Sequence, residues 1–174
     1  ASSAASDVYK RQIPKIRKLA KEFEKQGVDG VIISCCGDPG LELVREDLSI
    51  PVVGAGESTA LMSLRYGEKI YSLGITETAP KNYKKVLKER LIDNAIPEGV
   101  YSTLDLQDVQ GWNSVCEKAK QLKENGAEVI ALACTGMATM GIAPKLEEVI
   151  GISVLDPVMC EGLVMYMELL RKNS

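Results

Sequence analysis

Two cysteines stand in matching settings 99 positions apart. The first setting reads Gly27-Val-Asp-Gly-Val-Ile-Ile-Ser-Cys35-Cys-Gly and the second Gly126-Ala-Glu-Val-Ile-Ala-Leu-Ala-Cys134-Thr-Gly. They align without a gap: a glycine, an acid two places on, an apolar run, a cysteine, and a glycine two further. Downstream, Leu48-Ser-Ile-Pro-Val-Val-Gly54 is echoed by Ile150-Gly-Ile-Ser-Val-Leu-Asp156. A duplicated unit that sets one thiol at the end of an apolar strand in each half places two thiols to face one carbon from opposite sides. Inversion of a stereocentre by proton transfer needs that arrangement.

The chain has no histidine. Acid and base chemistry near neutral pH therefore falls to cysteine, carboxylates, lysine or tyrosine. A Ser–His–Asp arrangement is excluded, and adjacent cysteines without histidine do not supply the three or four spaced ligands of a zinc site. We expect no metal and no cofactor. Five cysteines, an odd number with two adjacent, fit free thiols in a reducing cytoplasm better than a disulfide framework. Cys116 and Cys160 fall on helical faces and read as core. Cys36 follows a strand-end residue, and its thiol is expected to pack sideways.

Cys35 and Cys134 are the expected catalytic pair. Each is followed by a glycine-containing turn leading toward a helix, and a helix N-terminus lowers a thiol pKa and favours the thiolate. The backbone N–H groups of Cys36, Gly37, Thr135 and Gly136 are expected to hold a substrate carboxylate or enolate oxygen. Asp38 is expected to cap the helix after Cys35 in preference to touching substrate. Thr76, with Thr78, ends a strand in the middle of the chain and is a weaker candidate for holding ring carbonyls.

Elements that position these residues follow from periodicity. Short Val/Ile-rich runs alternating with helical patterns point to βαβ units around parallel sheets. Strands are expected at 30–34, 51–53, 70–75, 100–104, 129–133 and 153–155. Helices are expected at 13–26, 40–46, 58–66, 79–94, 109–125, 142–149 and 158–171. Gly27, Gly67 and Gly126 sit where helix C-caps belong. Asp38-Pro39 and Asp156-Pro157 each supply a capping side chain followed by a proline suited to a first helical turn. The repeat predicts an α/β fold of two pseudo-symmetric lobes, with Cys35 and Cys134 in the cleft between them, beyond the strand ends. Residues 13–68 with 152–174 form lobe one and 69–151 lobe two. Residues 1–12, small and polar, read as a non-native leader.

A net charge of −3 with no basic block argues against nucleic acid, and the Lys81–Arg90 stretch reads as an exposed helix face. No apolar run approaches the ~18 residues of a membrane span. The expected partner is a small-molecule substrate, with no nucleic acid and no membrane; self-association into a homo-oligomer is left open. Gly54-Ala-Gly-Glu-Ser-Thr59, followed by Glu77, has the outline of a dinucleotide site. Its sixth position is threonine, and a tight strand-to-helix turn explains both glycines.

At these motifs the chain resembles the hydantoin racemase branch of the aspartate/glutamate racemase superfamily. The resemblance rests on Cys35-Cys-Gly-Asp-Pro-Gly-Leu41, Arg45-Glu46, Pro51-Val-Val-Gly-Ala-Gly-Glu57 and Ala133-Cys-Thr-Gly-Met137. It implies flavodoxin-like lobes and cofactor-independent racemisation or epimerisation by two thiols. Acidic amino-acid racemases of that superfamily typically carry Cys-Thr-His at the second site. Gly136 here points instead to a 5-substituted hydantoin or an allantoin-like ring. Decarboxylase-type members keep only the second cysteine, whereas both are present here. The superfamily opens with a strand bearing an Asn or Ser motif that has no match here, so lobe one is expected to lack its first strand. An inactive ligand-binding domain and an aspartate/glutamate-type racemase are the alternative readings.

Overall fold

The computed structural model describes residues 2–172, with side chains described from Arg11 onward. In chain order the helices are α1 (Ser2–Lys25), α2 (Leu41–Asp47), α3 (Ala55–Ser63), α4 (Lys81–Leu87), α5 (Val109–Glu124), α6 (Thr135–Thr139), α7 (Ile142–Ile150) and α8 (Pro157–Lys172). The strands are β1 (Val31–Ile33), β2 (Val52–Gly54), β3 (Ile70–Leu73), β4 (Leu91–Ala95), β5 (Val129–Leu132) and β6 (Ser153–Leu155). Every strand pair is parallel. β1 pairs with β2, and β4-β3-β5-β6 form a second sheet. Among the described residues no helix is long and apolar enough to cross a membrane.

The central strands of the larger sheet, β3 and β5, are buried on both faces, as in parallel sheets generally. Leu73, Ile130, Leu132 and Val154 point one way, into a core closed by Val115 and Ala119 of α5 and Leu146 and Ile150 of α7. Ile70, Val129, Ala131 and Leu155 point the other way, toward Ala60 of α3, Tyr83 and Leu87 of α4 and Cys160 of α8. The period of two in Val129–Leu132 thus divides one apolar run between two cores. A third core joins Ala20 of α1 to Val31, Ile33, Leu41, Val44 and Val52.

Gly27 and Gly126 adopt left-handed backbone after α1 and α5, as C-terminal glycines do. Gly67 does not; it makes room for Glu128, whose side chain an added Cβ would approach to 2.7 Å. Asp156 caps α8 as expected, accepting from the N–H groups of Val158 and Met159 at 2.8 and 2.9 Å.

Several expected elements are corrected. Residues 100–104 form no strand, and the larger sheet takes its edge from β4. Tyr83, Val86, Leu87 and Leu91 keep a helical spacing, which hid the end of α4. Lys88 turns to φ 51°, and the Asp93-Asn94 pair that follows suits a polar sheet edge. Strand 153–155 does not sit in lobe one; it pairs with β5, because Val154 and Leu155 bury on opposite faces of the larger sheet. α8 packs against α3 and β2 and so links the two sheets. A short helix, α6, follows Cys134 where no element was expected. The first helix begins at Ser2, ahead of the start expected at residue 13.

Candidate active site

The carboxyl ends of β1, β3 and β5 open into one cleft of about 640 Å³. Cys35 and Cys134 both line it, with Cys36, Gly37, Asp38, Thr76 and Thr135. The size suits a small ring with a substituent. Pro39, Ile75, Ala79, Pro80 and Ala133 give apolar walls, and Lys81 and Lys84 add cations from α4. Cys35 also borders a second, mostly apolar groove of about 400 Å³ between α1 and β1. Cys134 lines only the first, which therefore holds the paired thiols.

Cys35 leads a tight turn after β1. Its N–H donates to the Ile33 carbonyl at 2.9 Å, and the Asp38 N–H returns to the Cys35 carbonyl at 2.9 Å. The turn leaves the N–H groups of Cys36 and Gly37, its two central residues, out of its own bond. Cys134, extended at φ −146°, immediately precedes α6. Thr135 and Gly136 are the first helical residues, whose N–H groups have no intrahelical partner. Both thiols are partly exposed, whereas Cys36, Cys116 and Cys160 are buried. The two motifs touch where the Thr135 hydroxyl donates to the Ser34 carbonyl at 3.5 Å.

The Cys36 thiol points inward and donates to the Leu132 carbonyl at 3.8 Å, so only its backbone is offered to the cleft. Burial holds its pKa far above the ordinary thiol value, and Cys134 and Cys35 lie near enough to raise it further. The Tyr83 hydroxyl donates to the same carbonyl at 2.6 Å, and burial raises its pKa too. Cys160 is pushed up to about 11 by burial. Burial thus keeps all three groups neutral. Gly136 is not among the lining residues; an added Cβ there would lie 2.3 Å from Thr103 Cγ2, so its glycine admits the loop around Thr103. Thr76 donates its hydroxyl to the Thr78 carbonyl at 3.0 Å, which leaves its oxygen to accept a ring N–H.

Asp38 caps a different helix from the expected one. Its carboxylate crosses to the start of α3, accepting from Gly56 N at 2.9 Å and Glu57 N at 2.7 Å, and from Asn82 Nδ2 at 2.6 Å. Burial raises its pKa, an effect that these three donors partly offset. The close approach explains the glycines of the Gly54–Thr59 turn. A Cβ on Gly54 would sit 2.3 Å from Asp38 Oδ1, and one on Gly56 2.1 Å from the Cys36 carbonyl oxygen. Glu57 is held by Arg45, at 3.2 Å from Nη1 to Oε1, and this bond lowers its pKa. Arg45 Nε also donates to the Val52 carbonyl at 3.1 Å. Asn82, Lys81 and Lys84 escaped the sequence reading because the basic stretch looked like an exposed helix face. Their one signal is that α4 directly follows the Thr76–Thr78 segment, which lies beyond the end of β3 at Leu73 and not in the strand as expected.

Asp38→Ala would leave three donors without their acceptor, and each lost bond of this kind costs about 1 kcal/mol. A loss of about 2–4 kcal/mol in denaturant unfolding is expected. Unchanged stability with lost turnover would instead make Asp38 a substrate contact.

The Asp/Glu/Hydantoin racemase family model matches residues 2–161. The chain is 30% identical over 158 residues to the hydantoin racemase of a Pseudomonas species, covering 84% of this chain and 60% of that protein. It is 30% identical over 149 residues to the hydantoin racemase of Paenarthrobacter aurescens, with 82% and 62% covered. Among solved structures, the allantoin racemase from Klebsiella pneumoniae superposes with a TM-score of 0.73 at 25% identity, over 87% of this chain and 64% of that one. Glutamate racemase from Thermus thermophilus shares the fold, with a TM-score of 0.68 at 18% identity over 95% and 65%. The chain spans about three fifths of the length of the curated relatives it matches. On the match across residues 2–161, this chain belongs to the Asp/Glu/Hydantoin racemase family.

Proposed function

We propose that the chain carries the two-thiol site of a cofactor-independent racemase or epimerase. Its substrate would be a 5-substituted hydantoin or an allantoin-like ring, and the reacting atom the carbon alpha to a ring carbonyl. The observation that carries this reading is the meeting of Cys35 and Cys134 in one cleft at the carboxyl ends of β1 and β5. Both thiols are accessible there, each at the head of a turn that presents backbone N–H groups.

In the reaction, one cysteine as thiolate takes the proton from one face of the carbon and becomes a thiol. The electron pair moves into the adjacent carbonyl as an enolate, which N–H groups after the cysteines stabilise. The opposite thiol delivers its proton to the other face and is left as the thiolate. Each turnover therefore balances in protons and charge and leaves the two thiols with their protonation exchanged, the state from which the reverse turnover begins. The ring carbonyls delocalise the developing charge. Thr76 accepts a ring N–H, and Pro39, Ile75 and Ala133 receive the substituent.

One observation favours a second reading, an acidic amino acid as substrate: Lys81 and Lys84 line the cleft and would meet a carboxylate. Solvent deuterium incorporation, followed by NMR with hydantoins, allantoin and free glutamate and aspartate, tests both. Exchange at C5 of a hydantoin or of allantoin, with none into the amino acids, is the expected result. Exchange into glutamate or aspartate alone would establish the second reading. Ring binding without exchange would leave a ligand-binding domain.

A further inference from the structure

Glu161, in the second turn of α8, is only 4% exposed. Its Oε1 lies 2.7 Å from the Ser34 hydroxyl, while Oε2 is buried with no hydrogen-bond partner among the described residues. Burial raises its pKa, the Ser34 hydroxyl bond partly offsets this, and the charged groups acting on it, Asp38 and Asp156, are both acids that add to the rise. As a carboxylate it would be a buried charge with one hydroxyl donor and no cation among the described residues. The neutral acid avoids that penalty. Even a neutral acid is a poor choice for a buried helix face that an apolar residue would fill equally well, unless its hydrogen bond serves a purpose.

The bond falls on Ser34, the residue joining β1 to Cys35. Ser34 lies just outside the β1–β2 ladder, which ends at Ile33 and Gly54. Its carbonyl receives the Thr135 hydroxyl and its hydroxyl meets Glu161. Ser34 is therefore a joint on which α8, the start of α6 and the Cys35 turn converge. We propose that Glu161, as the neutral acid, is a positioning residue for Cys35, acting through the Ser34 hydroxyl to fix that thiol relative to Cys134. The functional meaning of this joint rests on the two-thiol reading above, but the joint itself can be tested without substrate.

The test compares the 174-residue chain with its Glu161→Gln, Glu161→Ala and Ser34→Ala variants and the double alanine variant. Iodoacetamide alkylation of the native proteins is timed separately at Cys35 and Cys134 by peptide mass spectrometry. Loss of an ordinary hydrogen bond should speed alkylation of Cys35 by about threefold or more in each alanine variant, with Cys134 within about twofold of the parent. The double variant should add little to either single one. Glu161→Gln, which keeps a neutral hydrogen-bonding group, should stay within about twofold at both cysteines. In deuterium exchange, the alanine variants should lose about tenfold for the enantiomer served by Cys35 and little for the other.

Equal changes at both cysteines would mean general loosening and overturn the proposal. An unchanged Cys35 rate would do the same, as would a glutamine variant as impaired as alanine, since that would require the charged form. If Glu161→Ala fails to fold, Ser34→Ala and Glu161→Gln still decide the question. Absence of exchange in the parent would sink the two-thiol reading alone, because the alkylation rates need no substrate.

Discussion

Replacing Cys35 or Cys134 by serine is expected to abolish racemisation while sparing half of the exchange chemistry. A serine hydroxyl is a far weaker acid and base than a thiol, so loss of one proton donor or acceptor should lower racemisation by about 10²–10⁴-fold. The remaining thiol would still reach the one enantiomer whose hydrogen points at it. Each variant should therefore wash deuterium into a single enantiomer, with opposite preference in the two. The partial exposure of both thiols makes the experiment feasible without unfolding, since neither side chain is a core plug. Cys36→Ser, Cys116→Ser and Cys160→Ser are the comparison set, all at buried thiols, where a serine disturbs packing and not proton transfer. The measurement is NMR of C5 protons in deuterated buffer, with chiral separation of the recovered hydantoin. If both variants exchange the same enantiomer, or either keeps full racemisation, the two thiols do not serve opposite faces.

Gly56→Ala is expected to be damaging far beyond its size. The new Cβ would stand 2.1 Å from the Cys36 carbonyl oxygen and 2.7 Å from Asp38 Oδ2. The first of these is backbone, so the Cys35–Asp38 turn or the start of α3 must move. Either motion stretches the Gly56 N–H bond to Asp38. Overpacking and the strained cap together should cost about 2–4 kcal/mol in denaturant unfolding. A shift of the turn by ~1 Å would misplace Cys35 and lower exchange by about 10²-fold even in the folded fraction. Gly162→Ala is the control: it lies within α8 with nothing within 4 Å of an added Cβ, so alanine there should be neutral or stabilise by about 0.5–1 kcal/mol. Equal midpoints for the two variants would contradict the close packing of the turn against α3.

Much of this was legible in the chain. The matched cysteine settings located both strand ends, because a short apolar run bounded by glycine on each side leaves little freedom in where a buried strand stops. Ser153–Leu155 was bounded from its residues alone, and Asp156 supplied the α8 cap. The Gly54–Thr59 turn was read as a tight strand-to-helix connection, and the structure adds its reason, a carboxylate and a carbonyl pressed against two glycines. The edge strand β4 was not legible, because apolar spacing around 83–91 satisfies a helix as well as it satisfies a helix followed by a strand. Only pairing with β3 decides between them.

What the sequence determined by itself was local: parallel βαβ units, two thiols at strand ends, and the absence of any histidine. Those features follow from side-chain type and periodicity, which act within a few residues. What tertiary structure alone decided was every partnership across the chain. Asp38 caps α3 and not the helix that follows it, Asn82 and the α4 lysines come to the cleft, and Ser153–Leu155 joins the larger sheet. Glu161 meets Ser34 from 127 residues away. A carboxylate takes whichever N–H groups folding brings within 3 Å, and a strand takes whichever edge buries both its faces. Neither choice is written in the neighbours along the chain.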